Sequence, residues 1–173
     1  NSFNSFGVNP TVGFSTNINK LDLSVSTGTS VISTENHAFY LRETTDLNKN
    51  YFIPNGTISA NYSISQSQSI LMMYERKFTV PKGSQVLAVA NLDNPLVVIT
   101  GNPNLKPSTF HFLQTGYSSY NFQSGSSYFV HFSTTYFDSQ IVGASAYNSS
   151  GKQISTFDNV KDTYDVLLRG EWD

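Results

Sequence analysis

The chain contains no cysteine, which removes disulfides, thiolate metal centres and a cysteine nucleophile at once. Charge is scarce as well: 13% of its 173 residues are Asp, Glu, Lys or Arg, against roughly 25% in an average soluble protein. The formal net charge is -2 and the pI about 5.9, so no sequence-wide positive field exists to displace counterions from a nucleic-acid backbone. The strongest basic feature, Arg76-Lys77 with Lys82 nearby, reads as a solvated strand end, and nucleic acid is not an expected partner. Long apolar runs are missing too. None approaches the roughly 20 residues that a helix needs to cross a bilayer, so no membrane span is expected. Asn1 to Ser5 lacks a basic and then apolar leader pattern, and any signal or anchor is expected to have been removed.

What is present is uncharged polarity and aromatic rings. Ser, Thr and Asn together supply roughly a third of the chain, alongside ten Tyr and thirteen Phe. That much ring area argues for a folded protein rather than a disordered polar tract. Joined to the low charge, it resembles the composition of exported proteins of Gram-positive bacteria or of phage virion proteins.

Short stretches of period-2 alternation recur, the pattern of strands with unlike faces. Leu21, Leu23 and Val25 alternate with Asp22, Ser24 and Ser26; Ile58, Ala60, Tyr62 and Ile64 alternate with Thr57, Ser59, Asn61 and Ser63. The apolar rows are expected on a core and the polar rows in water, with antiparallel neighbours. Residues 85–90 and 95–100 are apolar on both faces and predict central core strands separated by a turn at Leu92 to Pro95. Thr109 to Leu113 and Tyr128 to Phe132 predict a third core pair. Pro54-Asn55-Gly56, Pro81-Lys82-Gly83, Gly101 to Asn104 and Gly143 mark strand ends. Ala144 to Tyr147 and Lys152 to Ser155 flank Asn148 to Gly151 as a hairpin. Ser69 to Phe78 and Asp158 to Arg169 each allow a helix, but strand is the preferred reading of both. No repeat or linker divides the chain, so 1–173 is expected to be a single all-β domain with at most one short helix. The expected architecture is a two-layer antiparallel β-sandwich of jelly-roll or immunoglobulin-like type, although a closed barrel uses the same alternation.

Candidate chemistry is thin. His111 and His131 each lie between apolar neighbours on predicted strands, and their meeting across a strand pair would offer a metal or pH-sensitive site; satisfied structural histidines are the preferred reading. Asp46, Asn48 and Asn50 begin like a calcium loop, yet Tyr51 and Thr57 stand where its glycine and glutamate belong. Glu35, Glu43, Glu75 and Glu171 are the carboxylates from which a glycosidase pair would be drawn. No nucleophile elbow, zinc-hydrolase helix or phosphate loop is present, and neither an enzyme nor a cofactor is expected. Asn55, Asn61 and Asn148 open sequons that chance explains in so Asn-rich a chain.

The most informative stretch is Gly116 to Gly125, where rings alternate with small polar groups. Tyr offers a broad rigid face with a hydroxyl, and amides adapt their hydrogen bonds. Tyr117, Tyr120, Asn121, Phe122, Gln123 and Trp172 are therefore the candidate ligand-binding residues, with a hydrophobic lid over the end of the fold as their ordinary alternative. The expectation is a secreted or surface-displayed, non-catalytic adhesion or carbohydrate-binding module whose partner is an extracellular glycan or protein. A self-assembling virion or surface-layer protein, homo-oligomeric by nature, is the second reading, and a glycan-cleaving enzyme the third.

Overall fold

In the computed structural model, which describes residues 2–40, 43–87, 91–94 and 97–173, the alternating stretches do become strands, and all of them join one sheet. The long strands are β3 (Leu21–Tyr40), β4 (Glu43–Ser65), β5 (Gln68–Thr79), β8 (Ser108–Tyr120) and β9 (Ser127–Tyr147). They follow one another as an antiparallel meander. At one side β1 (Ser2–Val8) and β2 (Thr11–Ile18) pair end to end along β3, interrupted at Asn9-Pro10. At the other, β10 (Gln153–Val160) and β11 (Thr163–Trp172) pair end to end along β9. Their break contains Asp162, whose φ of 57° lies in the left-handed region. Short β6 (Asn91–Asn94) and β7 (Val97–Ile99) attach to β10.

The all-β class and the near absence of helix agree with the sequence, and both ambiguous segments are strands. The two-layer sandwich does not survive. Among the described residues there is no facing layer: only Ala38, Ile53, Val86 and Leu105 are buried apolar side chains, while the apolar rows of the long strands are exposed or half-exposed. Alternation reports that two faces differ; it does not report that the oily one is inside.

The four buried apolar residues gather at one end. There described parts of the connection from Val80 to Pro107, 80–87 and 97–107, reach the β3–β4 ribbon, with Gly83 against Asn36 and the Pro103 and Leu105 carbonyls against Lys49. One helical turn, α1 (Gly83–Val86), is closed by the Lys82 carbonyl accepting from Gln85 and Val86 nitrogens at 2.9 and 3.2 Å. This corrects the expected strand over 85–90, of which 88–90 lie outside the described residues. Within the described part of the run, Val86 is the buried anchor. The 95–100 run yields only the three residues of β7, and 95–96 lie outside the described residues. Leu92 to Asn94 belongs to β6 rather than to a turn. Lys49 donates through Nζ to the carbonyls of Pro103 and of Leu105. On the far side, Asn102 donates to the Phe157 carbonyl at 3.0 Å, and Asn159 exchanges two bonds with the Lys106 backbone. The connection thus straps the β3–β4 ribbon to the β9–β10 ribbon. Gly101 is needed where it crosses Leu87, because a Cβ there would lie 2.2 Å from the Leu87 carbonyl oxygen.

Two expected strand ends lie inside strands. Pro54-Asn55-Gly56 is internal to β4, tolerated because β5 pairs with β4 only from Gly56 onward, so that Pro54 has a strand neighbour on one side alone. Gly143 pairs with Phe157 within β9. The Asn148 to Gly151 hairpin forms as read, with Tyr147 opposite Gln153 and Gly151 at a φ of 77°.

Candidate functional site

The register sorts the strand residues into two faces, since directly paired residues share a face and neighbours along a strand do not. One transverse row runs Phe14, Val25, Ile58, Tyr74, Leu113, Thr134, Val166. The next on the same face runs Thr16, Leu23, Ala60, Met72, Thr115, Phe132, Leu168, and the one after it Ile18, Leu21, Tyr62, Ile70, Tyr117, Val130, Gly170. No charged residue occurs in these three rows. The interleaved rows of the opposite face run Ser15, Ser24, Ser59, Met73, Gln114, Ser133, Leu167 and Asn17, Asp22, Asn61, Leu71, Gly116, His131, Arg169. Polar side chains fill most of these positions, despite Met73, Leu71 and Leu167, and bond across strands, as in Ser15–Ser24 at 2.9 Å, Ser69–Ser118 at 2.9 Å and Asn17–Asp22 at 2.5 Å.

The apolar face is exposed, with Phe14 at 65%, Leu168 at 71% and Trp172 at 76%. A continuous oily surface of this extent is not stable against water. It is bounded by rings. On β11 Tyr164 and Trp172 stand nine positions apart counting both ends, opposite Tyr136 and Tyr128 of β9, and Trp172 stacks on Tyr128 with centroids 6.2 Å apart and planes 4° from parallel. About 9–11 residues is the length of a tilted strand crossing a bilayer, and aromatic girdles flank the apolar band of such strands. Above the belt the same face carries exposed Phe6, Val8, Val31 and Phe52 among polar groups: Glu35, His37, Asp46, Asn48 and Asn50 also project from it on the β3–β4 ribbon, with His37 and Asp46 2.7 Å apart.

The two ends differ. At one, β2–β3, β4–β5 and β8–β9 are joined by Asn19-Lys20, Gln66-Ser67 and residues 121–126. At the other stand the extended ribbons and the strap of residues 80–107, whose described parts pack on the polar face where Gly83 lies against Asn36 and Lys49 donates to the Leu105 carbonyl. Burial there lowers the Lys49 ammonium below its ordinary value and raises the Tyr51 phenol, whose shift the Thr34 hydroxyl partly offsets.

The residues singled out in the sequence fall at the short-turn end. Tyr117 lies on the apolar face between Ile70 and Val130. Tyr120 is on the polar face and meets Phe122 edge-on at 5.0 Å. The Asn121 carboxamide oxygen accepts from the Gln123 and Ser124 nitrogens at 2.9 and 3.3 Å, so it builds the turn itself. Phe122 and Gln123 are exposed, and Trp172 sits opposite Tyr128 on the apolar face. The structure brings Tyr120, Asn121, Phe122 and Gln123 together; Tyr117 and Trp172 belong to the belt.

His111 and His131 do not meet. His111 pairs with Tyr136 while His131 pairs with Gly116, five positions away and on the other face. His111 instead accepts or donates at both ring nitrogens, to the Tyr74 hydroxyl at 2.6 Å and Asp138 at 3.1 Å. Asp46, Asn48 and Asn50 lie along a strand rather than in a loop, and no cluster of three potential metal ligands occurs among the described residues. Glu75 pairs with Lys77, and Glu171 with Arg169. Sequence reading missed the two faces as the site, although the spacing of Tyr128 and Tyr136, and of Tyr164 and Trp172, with Val130 and Phe132 or Val166 and Leu168 at alternate positions between, carried the signal.

A single sheet with lipid-compatible residues on one side and hydroxyls and amides on the other defines the wall of a transmembrane β-barrel. Residues 12–169 match the family described as outer membrane protein beta-barrel family, and the chain belongs to that family. Among solved structures, the siderophore receptor PirA from Pseudomonas aeruginosa is similar, with a TM-score of 0.65 at 12% identity over 97% of this chain. The chain spans 39% of that receptor's length. No curated protein matches it.

These findings overturn several expectations. An outer-membrane location replaces a secreted or virion one, and a membrane-embedded wall replaces the adhesion or carbohydrate-binding module with a glycan or surface-protein partner. The expectation of no membrane span fails because it tested for helices. Among the described residues no helix is long and apolar enough to cross a membrane, and strands cross with every second residue apolar, a pattern that produces no long run.

Proposed function

We propose that this chain supplies a wall segment and part of the gated mouth of an outer-membrane transport barrel, acting without catalysis on an uncharged or weakly charged polar solute. The carrying observation is the segregation of faces across seven crossing strands, β2, β3, β4, β5, β8, β9 and β11. In this reading the short turns face the periplasm and the long ribbons the exterior, the usual asymmetry of such barrels. The inner face mixes charges of both signs, Asp22, Glu75, Lys77, Asp165, Arg169 and Glu171, within a hydroxyl-rich lining, so no single-signed field selects an ion. The strap of residues 80–107 lies on that inner side at the outer end and narrows the passage. The likeness to a siderophore receptor supports a barrel that receives a solute rather than an open pore.

In this reading Tyr117, Tyr128 and Trp172 anchor the wall at the periplasmic interface, with Tyr120 and Phe122 beside them. The test is excision of residues 82–106 in favour of a short flexible linker, followed by conductance in planar bilayers. The reading expects conductance to rise several-fold with the barrel still inserted. Unchanged conductance in an inserted protein contradicts a constricting role for the strap.

A further inference from the structure

The row directly above the apolar belt runs Thr27, Gly56, Arg76, His111, Tyr136 on the outward face. It contains two cation-forming side chains, and only one is spoken for. His111 is held by Tyr74 and Asp138. Arg76 donates one bond, from Nη1 to the Pro54 carbonyl at 3.1 Å, and no carboxylate lies within ion-pair distance of it among the described residues. A guanidinium at the edge of an oily surface needs a counter-charge, and its planar fork matches the oxygens of a phosphate.

Space for one adjoins it. Gly56 leaves its place in the row empty, and a groove of about 300 Å³ opens between Thr27 on one side and Tyr74 with Arg76 on the other. Pro54 lies at its upper end, and Val25 and Ile58 line its lower end, continuous with the apolar belt. The groove is therefore cationic above and apolar below, the polarity of an anionic lipid whose phosphate lies above its acyl chains.

We propose that Arg76 and the Gly56 groove form a binding site for the phosphate-bearing headgroup of an anionic membrane lipid, whose acyl chain descends over Val25 and Ile58. The inference rests on the barrel reading, because the outward face must meet lipid for the site to be used. Phosphate and guanidinium attract over a short range that a membrane surface reinforces, while Tyr74, committed to His111, walls the groove without competing for the ligand.

The test uses the protein reconstituted in nanodiscs of mixed phosphatidylcholine and phosphatidylglycerol, with retained lipid counted by native mass spectrometry. The proposal expects one phosphatidylglycerol retained in preference to phosphatidylcholine, retention that falls roughly tenfold in Arg76→Gln and persists in Arg76→Lys. Thr27→Glu, which places a carboxylate on the opposite wall, is expected to abolish retention with Arg76 intact, and serves if Arg76→Gln does not fold. Replacing chloride by inorganic phosphate at equal ionic strength leaves retention unchanged if the ligand is a lipid. Displacement by inorganic phosphate alone, equal retention in Arg76→Gln or Thr27→Glu, or no preference in the unaltered protein overturns the proposal. Trp172, on the outward face far from Arg76, separates this from the barrel reading: its quenching by brominated phosphatidylcholine reports lipid contact of the wall whatever Arg76 binds.

Discussion

Met72 and Met73 are adjacent and chemically identical, yet the register sends Met72 to the apolar face and Met73 to the polar one. They isolate the environment from the residue. Met72→Arg is expected to destabilise the inserted protein by ~2–4 kcal/mol, the cost of a cation at bilayer depth, and Met73→Arg by less than ~1 kcal/mol. Urea unfolding from lipid vesicles measures the difference, and equal costs would mean that both faces meet water. At this scale the sequence was legible in its periodicity and illegible in its polarity. Leu21, Leu23 and Val25 announce a face of their own, but the same triplet suits a protein core or a lipid contact. What distinguishes them lies at the ends of the rows, where Tyr128, Tyr136, Tyr164 and Trp172 mark two interfaces. Reading Gly116 to Gly125 as a recognition loop gave weight to rings whose placement at one rim of a belt becomes visible only when the strands are laid side by side. Asn121 shows the same limit: its side chain closes the turn that presents its neighbours, a role its sequence context does not separate from ligand binding.

Among the elements, the strap of residues 80–107 departs most from sequence reading. Val86 was legible as buried but not as part of a helical turn, because a short oily run has no period to set helix against strand. Leu105 is 2% exposed, and Leu105→Ala is expected to loosen the strap by ~2–5 kcal/mol. Hydrogen exchange and proteolysis should then rise over 82–106 while β5, β8 and β9 stay protected; equal loosening of those strands would mean that the strap is part of the wall. Lys49 adds a pH dependence. Its native value lies below the ordinary 10.5, so over that interval the unfolded chain binds more protons than the native one. Stability contributed by this group therefore rises as pH increases through the lowered value toward 10.5. Tyr51 acts oppositely above pH 10.0, where the unfolded phenol ionises first. Protection of the strap in exchange measurements is thus expected to improve as pH approaches 10 once intrinsic rates are corrected, and to lose that trend in Lys49→Gln. A trend that persists in the variant would assign it to another group.

For the whole molecule, a sheet with β2 and β11 at its sides pairs those strands with β3 and β9 alone. Backbone donors and acceptors in a bilayer must be satisfied by protein, so in the proposed barrel further strands meet both edges and close the ring. That requirement also explains why a folded chain of this length buries so few apolar side chains: the solvent for its oily face is lipid, and the stabilising contact lies outside the polypeptide. The absence of cysteine makes the central claim open to direct measurement, because each introduced thiol reports alone. Single cysteines at Ile70, Met72 and Phe132 of the outward face, and at Ser15, Ser59 and Gln114 of the inner face, would be exposed to a membrane-impermeant maleimide in the lipid-embedded protein, with labelling after denaturation as the reference. The account predicts that the inner three react and the outer three are shielded until the membrane is dissolved; uniform labelling of both sets, or shielding of the inner set alone, would contradict it.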